Sequence, residues 1–367
     1  MRLLVATGLY PPDIGGPATH TVFLEKHQET LGLELVVVPF GSVRRYPPLI
    51  RHLIYFFRLV SLGRTCEMIY ALDTVSVGVP VMLASIITRK PFILRVPGDY
   101  AWEQGQQRYG VTETLDAFRT HTAHPIRVRV MSSLQSLVAK RAKHIIVPSE
   151  YMKRVVAGWG IREAKITRIY SVLDPISHEM ISSRPTNVFR VITAARLVPW
   201  KGIDALIESV VRLKNEGVPI ELYVCGDGTS RRDLERKTAS LGADAYVYFE
   251  GALTRSVLAQ QISVSHVFVL NTSYEGLSHQ LIEVMHLGVP IITTPAGGNS
   301  ELITDGYNGH LVTYNDIDAI SDALNRVYRE PAQAQILAEH AQDSLARFNE
   351  EQIVSELSVF FKTICNL

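Results

Sequence analysis

The sequence predicts an α/β protein of two domains, each a parallel sheet wrapped by helices. Short apolar runs that suit buried strands alternate with helical patterns along both halves of the chain. The 367 residues are enough for two domains of ordinary size, and the 47% of hydrophobic residues supplies two large cores. A polar stretch with prolines, residues 175–187, is the expected linker. We therefore place the domains at 1–175 and 188–348, followed by a last helix at about 349–367.

Composition predicts a cytoplasmic protein. No stretch reaches the roughly 18 uncharged apolar residues that a membrane-spanning helix needs. The apolar run at 1–6 is too short for a signal peptide and is typical of a first strand. The three cysteines, Cys66, Cys225 and Cys365, are widely separated and lack a metal-ligand spacing. This pattern suits a reducing compartment and argues against a zinc site or a disulfide framework.

Charge is unevenly distributed along the chain. The formal net charge is +1, yet residues 1–185 carry 23 Lys and Arg against 14 Asp and Glu, a net charge of +9. The remainder carries 14 against 22, a net charge of −8. Residues 48–63 predict a basic, aromatic, amphipathic helix that contains Arg51 and Arg58. These features indicate either contact with an anionic membrane or partner, or ordinary solvated faces around a helix packed on a sheet.

Two loops of the first domain follow predicted strands. The strand at 2–7 leads through Gly15-Gly16 into a helix predicted over 18–31, the order with which α/β proteins build ligand crevices. The spacing is not that of a dinucleotide fingerprint, and a glycine pair alone is more often a simple turn. The strand at 91–96 ends near Asp99, whose carboxylate suits either a polar site or the cap of the next helix.

In the second domain, Arg196 and Lys201 follow the strand at 188–194 on a loop that opens a helix. Two cations beside a helix N-terminus favour a diphosphate clamp, because Arg binds as a fork and Lys as a point charge. The alternative is a surface loop with salt bridges. The strand at 220–225 ends in a tight turn at Gly226 that needs a positive φ.

The most informative stretch, 267–302, predicts a strand, a loop, a helix, a strand and a second loop. Val267–Leu270 suits a buried parallel strand, and a helix is expected from about 277 to 287. Gly276, Leu277 and Ser278 would then form the helix start. Their backbone N–H groups and the helix dipole predict an anion site at this position.

Two carboxylates bracket this turn. Glu275 precedes the helix, whereas Glu283 lies inside it among apolar residues and is expected to be partly buried. A buried carboxylate needs hydrogen-bond donors, which the hydroxyls of a sugar would supply. The alternative is that Glu275 is a solvated loop acid and that Glu283 pairs with a structural arginine. The later loop at Gly297-Gly298 is expected on the same side of the sheet as Glu275.

Together these motifs resemble the nucleotide-sugar signature of family-4 glycosyltransferases, which have the GT-B fold. The resemblance covers essentially the whole chain, strongly over 188–312 and more loosely over 1–187. The compound pattern that carries it comprises Glu275-Gly276-Leu277-Ser278, Glu283, Gly288-Val289-Pro290, Gly297-Gly298 and the loop Arg196-x4-Lys201-Gly202. It implies two Rossmann-like domains facing a central cleft, with the C-terminal helix crossing back to the first domain. The first domain would bind the acceptor and the second the nucleotide sugar.

The resemblance also implies roles for these residues. Glu275 would contact the donor sugar, Arg196 and Lys201 would hold its β-phosphate, and Glu283 would bind the ribose. Many family members have a histidine at the end of the strand at 91–96, where this chain has Pro97-Gly98-Asp99. Either Asp99 takes the polar role, or the loop reads a different acceptor. Further donor contacts are implied for Gly15, Gly16, Gly226, Gly276, Leu277 and Ser278.

The function implied is that of a retaining hexosyltransferase that needs neither metal nor cofactor. It would move a sugar from a nucleoside diphosphate to an acceptor hydroxyl in the synthesis of cell-surface glycans or glycolipids. Its expected partners are the nucleotide sugar, a glycan or lipid-linked acceptor and a membrane surface, and no nucleic acid is expected. The alternatives are a GT-B sugar-nucleotide epimerase and a non-catalytic sugar-nucleotide binding protein. A phosphorylase is less favoured because no lysine motif for pyridoxal phosphate is visible.

Overall fold

The structure, a computed structural model, describes residues 1–13, 15–121, 123–171 and 184–365. The chain divides into two compact units. One unit comprises Met1–Asp174 together with Phe348–Leu367, and the other comprises Pro175–Arg347. Residues 175–183 of the linker expected at 175–187 lie outside the described residues. The acceptor-binding and donor-binding roles expected for the two halves stay predictions.

The first unit contains a sheet of six parallel strands in the order β2-β1-β3-β4-β5-β6. The strands are mostly buried apolar runs, as expected for a sheet covered on both faces. They are β1 (Arg2–Thr7), β2 (Glu34–Pro39), β3 (Met68–Ala71), β4 (Phe92–Arg95), β5 (His144–Val147) and β6 (Ile166–Arg168). The helices are α1 (Gly16–Lys26), α2 (Pro48–Gly63), α3 (Gly78–Thr88), α4 (Tyr100–Arg108), α5 (Leu115–Thr120), α6 (Ile126–Arg141) and α7 (Glu150–Ala157).

The second unit contains another sheet of six parallel strands, in the order β12-β11-β10-β7-β8-β9. Its strands are β7 (Phe189–Ala194), β8 (Ile220–Cys225), β9 (Val247–Gly251), β10 (Val267–Leu270), β11 (Ile291–Thr293) and β12 (His310–Leu311). The helices are α8 (Ile203–Asn215), α9 (Arg231–Ser240), α10 (Arg255–Ser263), α11 (His279–His286), α12 (Ile317–Arg329) and α13 (Pro331–Asp343). Because all six strands run in one direction, their carboxyl ends lie along one edge, which we call the carboxyl edge.

The last described helix, α14 (Glu350–Cys365), completes the core of the first unit. Leu357 and Phe361 are buried there, and the Phe361 ring meets the ring of Tyr70 edge-on at 6.2 Å between centroids. Each such side chain contributes roughly 1.5–3 kcal/mol when it leaves water. Lys143 Nζ also donates to the carbonyl of Ile364 at 2.6 Å, close to the end of the helix. The prediction that the C-terminal helix returns to the first domain is therefore confirmed.

Several helix boundaries differ from the predicted ones. The helix expected at 18–31 is α1, which ends at Lys26 and is followed by turns. The helix expected from Leu277 begins at His279, because Ser278 acts as its N-cap and accepts a hydrogen bond from the backbone N–H of Leu281 at 3.2 Å. Among the described helices, none is long and apolar enough to span a bilayer.

Candidate functional site

The carboxyl edge of the second sheet brings together most of the predicted site residues. The neighbouring strands β11, β10, β7 and β8 are each followed there by a loop. Glu275 follows β10, Arg196 and Lys201 follow β7, Gly226 follows β8, and Gly297 follows β11. Residues up to 101 positions apart in the chain are thus placed at one edge, because parallel strands all end there.

The loop that carries Glu275 is held by the backbone of the Gly297-Gly298 turn. The N–H of Gly298 donates to the carbonyl of Glu275 at 2.9 Å. A Cβ atom on Gly297 would lie 1.9 Å from that same carbonyl oxygen, and one on Gly298 would lie 2.5 Å from the carbonyl oxygen of Gly276. Gly297 also has φ +58°, a conformation that residues with a side chain rarely adopt. The two loops therefore interlock through main-chain atoms, and the close approach requires glycine.

Lys201 and Glu275 form an ion pair in which Lys201 Nζ donates to Glu275 Oε1. Both groups are largely removed from water, since their side chains are 10% and 16% exposed. The pair joins residues 74 positions apart. Removing one partner would leave the other as an uncompensated charge that is largely buried. For a fully buried pair, this lowers the free energy of unfolding by about 3–5 kcal/mol. The site is thus held by two opposite charges that stabilise each other.

A buried amide network places Lys201, and sequence reasoning missed it. Asn271, at the end of β10, donates from Nδ2 to the carbonyl of Gly202 at 2.7 Å and to Asn315 Oδ1 at 2.9 Å. The N–H of Asn315 donates back to Asn271 Oδ1 at 3.1 Å. Gly202 has φ +49°, and a Cβ on it would lie 2.4 Å from the amide groups of both asparagines. An asparagine directly after a buried strand was the available signal.

Arg196 lies on the same loop but faces solvent. Its guanidinium carbon is 5.8 Å from the centroid of the Trp200 ring, a cation–π contact with a buried indole. The loop is fixed from the other side by Gly226, which has φ +133° and whose Cβ would lie 1.9 Å from the carbonyl oxygen of Ala195. The loop after β8 therefore packs closely on the loop that carries Arg196, just as the Gly297-Gly298 turn packs on the loop that carries Glu275.

Glu283 lies in α11 with its side chain 13% exposed, as expected for a partly buried acid. Its donors are protein groups. Arg255 Nε donates to Oε1 at 2.8 Å, and Gln280 Nε2 donates to Oε2 at 3.3 Å. The alternative of an arginine partner for Glu283 is therefore what the structure shows, and a ribose-binding role stays a prediction. Arg255 was missed because it lies 28 positions away, at the start of α10.

Ser278, Gly276 and Leu277 precede the helix rather than form its first turn. The Ser278 hydroxyl is committed to the cap of α11, and Gly276 and Leu277 lie in the interlocked loop. All three are buried. The predicted anion contact therefore depends on main-chain N–H groups near the N-terminus of α11, where the helix dipole favours negative charge.

The predicted glycine pair, Gly15 and Gly16, lies in the first unit, at the carboxyl edge of its own sheet. Gly15 has φ +152°, and the N–H of Thr19 donates to its carbonyl at 3.1 Å, so the glycine pair opens α1. A Cβ on Gly15 would lie 2.7 Å from Leu9 Cδ1. Gly16 is the first residue of α1. The roles predicted for this pair in donor and acceptor binding stay predictions.

Asp99 is the N-cap of α4 and is 1% exposed. Its Oδ1 accepts from the backbone N–H of Trp102 and from Gln135 Nε2, both at 3.0 Å. Burial raises the pKa of Asp99, and these two hydrogen bonds oppose the rise. The capping alternative is therefore what the structure shows, and a catalytic role stays a prediction.

An Asp-x-Asp spacing at Asp316-Ile317-Asp318 was overlooked in the metal-free prediction. Asp316 Oδ1 accepts from the N–H of Ala319 at 3.0 Å and caps α12, while Asp318 pairs with Arg212. Both carboxylates thus have protein partners. Independence from metal stays a prediction.

Comparison with known proteins bears on the same region. Residues 178–344 match the model of the family "Glycosyl transferases group 1". The uncharacterized glycosyltransferase MJ1069 of Methanocaldococcus jannaschii is 26% identical over 246 residues, 64% of this chain and 62% of that protein. The lipopolysaccharide core biosynthesis glycosyltransferase LpsE of Rhizobium meliloti is 30% identical over 172 residues, 46% of this chain and 48% of LpsE. The match thus spans less than two thirds of either relative.

A solved structure is similar over the whole chain. Anabaena HepE, determined in complex with UDP and glucose, superposes with a TM-score of 0.76 at 19% sequence identity, and the match covers 100% of both chains. A likeness at this identity shows the fold alone. The GT-B fold class predicted from the sequence is confirmed.

Proposed function

We propose that this chain, whose residues 178–344 match the group 1 glycosyl transferases, is a retaining hexosyltransferase that uses a nucleoside-diphosphate sugar. The observation that carries the proposal is the buried Lys201–Glu275 pair at the carboxyl edge, framed by glycine turns that leave the main chain no room to move. LpsE is named for lipopolysaccharide core biosynthesis, which supports a role in cell-surface glycan or glycolipid synthesis. We place the reaction in the cytoplasm.

The cations stabilise the leaving diphosphate. Lys201 is buried and fixed by its network, so it supplies a preorganised charge, whereas the exposed Arg196 supplies a fork that closes on phosphate oxygens. The main-chain N–H groups before α11 add the positive end of the helix dipole. Together these groups carry the charge that a divalent cation carries in other transferases.

The transfer step exchanges one bond for another at the anomeric carbon. The bond from that carbon to the diphosphate oxygen breaks, and the bond to the acceptor oxygen forms on the same face. The proton of the acceptor hydroxyl passes to a phosphate oxygen of the leaving group. Glu275 faces the sugar in this arrangement and shares Lys201 with the phosphate, so the ion pair orients the carboxylate before the donor arrives.

Glu283 binds the ribose in this proposal, and Arg255 and Gln280 orient it. A carboxylate oxygen has lone pairs for more than one donor, so Glu283 accepts ribose hydroxyls without giving up its protein partners. Contacts with the acceptor and the donor phosphate are proposed for Gly15 and Gly16. Asp99 acts by capping α4, which fixes the loop at 97–99. A contact between the basic first unit and a membrane is also proposed.

The proposal is tested with purified protein and UDP, GDP and ADP sugars. Binding of the correct donor at 100-fold excess over its Kd should add about 2.7 kcal/mol to stability, measured as a rise in the unfolding temperature. EDTA should leave this rise unchanged. Mass spectrometry of products with a panel of sugar and lipid-linked acceptors then detects transfer, and proton NMR of the product distinguishes retention from inversion.

Each outcome separates the proposal from its rivals. Conversion of the donor sugar without an acceptor would indicate the epimerase. Donor binding without any turnover would indicate a binding protein. Inversion at the anomeric carbon, or binding that strictly requires Mg²⁺, would contradict the retaining or the metal-free part of the proposal.

A further inference from the structure

The layer of helices on one face of the first sheet exposes an apolar surface. Helix α2 lies against α3, and α3 also lies against α6. The inner side of α2 packs as an ordinary sheet-covering helix, with Tyr55 and Leu59 fully buried. The outer sides of α2 and α3 together carry six large apolar side chains that are 45–59% exposed. They define what we call the apolar–basic face: Ile50, Leu53 and Phe57 of α2 with Leu83, Ile86 and Ile87 of α3.

These side chains form stripes and are not scattered. Ile50, Leu53 and Phe57 recur at i, i+3 and i+7, which places them on one side of α2. The three exposed residues of α3 recur at i, i+3 and i+4 and likewise share one side. Because the two helices are neighbours, their stripes combine into one apolar patch. Monomeric proteins rarely expose such a patch unless it binds something.

Cations outnumber acids in the chain segments that form this face. Residues 40–66 contain five arginines and no Asp or Glu, and residues 74–98 contain Arg89, Lys90 and the buried Arg95 and no Asp or Glu. Helix α6 adds four more cations and again no acid. The exposed cations of these two segments are Arg44, Arg45, Arg58, Arg64 and Arg89, of which Arg44 pairs with Asp13. A surface that is apolar and rich in cations complements one that is apolar beneath an anionic layer.

The face is continuous with the carboxyl edge of the first sheet. Arg44 Nη2 donates to the carbonyl of Gly8 at 3.1 Å, and its other nitrogen pairs with Asp13 at 2.9 Å. Both partners lie on the loop between β1 and α1, the loop that ends in the glycine pair. The segment that leads into α2 is thus fixed to the loop that carries the Gly15-Gly16 pair.

We propose that the apolar–basic face docks on the surface of an anionic lipid bilayer, with its apolar stripes in the acyl boundary and its arginines at the headgroup phosphates. This inference rests on the membrane contact proposed above and gives it a surface, and it does not depend on the transfer reaction. A few apolar side chains or a few charges alone do not hold a protein on a membrane surface. The apolar–basic face combines apolar area with several cations, which together can do so. Of the two predicted alternatives for residues 48–63, the structure shows the helix that packs on the sheet, and its exposed side is the one for which membrane contact is proposed.

The test is flotation of the full chain with vesicles of phosphatidylcholine alone and of phosphatidylcholine mixed with phosphatidylglycerol. Binding should rise with the anionic fraction and fall as salt screens the headgroups. Replacing Arg58 and Arg64 with Gln should weaken binding about 5-fold per residue, or about 25-fold together. The pair Leu53→Ser and Phe57→Ser should weaken it by at least about 10-fold. These side chains are exposed, so unfolding midpoints should stay near that of the wild type.

Matched controls lie outside the face. Val359 of α14 is 62% exposed, and Val359→Ser should bind vesicles like the wild type. Arg232 and Arg329 are exposed cations of the second unit, and their replacement by Gln should also have no effect. These controls show whether binding depends on where the residues lie, or whether the loss of a charge or of apolar area anywhere on the surface weakens it equally.

Three results would overturn the proposal. The wild type fails to float with anionic vesicles, it floats equally with neutral ones, or the face variants bind like the wild type. Sedimentation velocity is the second measurement. If the wild type dimerises, the Leu53→Ser and Phe57→Ser variant does not, and neither binds vesicles, then the face is an interface between copies of this chain and the membrane proposal is wrong.

Discussion

Replacing Gly297 with alanine should displace Glu275, although the substitution removes no charged group from the site. The new Cβ would start 1.9 Å from the Glu275 carbonyl oxygen. Carbon and oxygen atoms in favourable contact lie about 3.3 Å apart, so the carbonyl has to retreat by about 1.4 Å. A misplacement of roughly 1 Å at a reacting group costs about 10²-fold in rate. We therefore expect kcat/KM to fall by about that factor.

The stability cost of this substitution has two parts. Alanine at a left-handed φ costs about 1–2 kcal/mol, and forcing atoms into a filled space costs about 1–3 kcal/mol more. Gly306 separates the two parts, because it has φ +69° and no heavy atom within 4 Å of its would-be Cβ. Gly306→Ala should therefore show only the backbone term and should keep wild-type activity.

The assay is urea unfolding followed by circular dichroism, together with steady-state kinetics and donor-binding calorimetry for both variants. Gly297→Ala should unfold at a lower urea concentration than Gly306→Ala, and it alone should lose activity. If the two variants are equally stable and equally active, the Glu275 loop does not depend on the glycine turn, and the interlocking described here is not what positions the carboxylate.

Five further substitutions test the roles of individual side chains. Lys201→Ala and Glu275→Ala should each lower kcat, by about 10²-fold, and a double-mutant cycle should give a coupling of more than about 1 kcal/mol; additive effects would refute the pair. Glu283→Ala and Arg255→Gln should mainly raise the KM for the donor, because ribose contacts act equally in the ground and transition states, and an unchanged KM would refute this role. Asp99→Asn should keep kcat, since an amide oxygen still caps α4, whereas a large loss would restore a catalytic role. Burial raises the pKa of Asp99, so the folded state is favoured when this carboxyl is protonated. The free energy of unfolding of the wild type, relative to that of Asp99→Asn, should therefore fall as pH rises through the folded-state pKa.

The parts of the fold that were predictable are those that local sequence determines. Strand β10 was predicted with its observed bounds, because four apolar residues stand between polar ones and no competing pattern overlaps them. The start of α11 was placed two residues early, since Ser278 suits either a first turn or a cap and only the cap satisfies the N–H of Leu281. Local propensity does not decide between these two uses of one serine.

The parts that were not predictable depend on contacts between distant residues. Lys201 and Glu275 were each assigned to a ligand, but their pairing with each other follows from the order of β7 and β10 in the sheet. The Asn271–Asn315 contact likewise spans 44 positions. No pattern in the sequence marks such pairs, because hydrogen-bond geometry is set only after the strands have been arranged.

The position of α14 in the core of the first unit has a consequence for synthesis of the chain. Residues 175–347 form one unit that is continuous in sequence, whereas the first unit needs α14, more than 170 residues downstream of its other elements. During translation the second unit is therefore complete before the first unit has its last helix. The usual order, in which the N-terminal domain of a nascent chain finishes folding first, is reversed here. Until α14 emerges, the surface that it covers around Tyr70 is open to solvent and to chaperones.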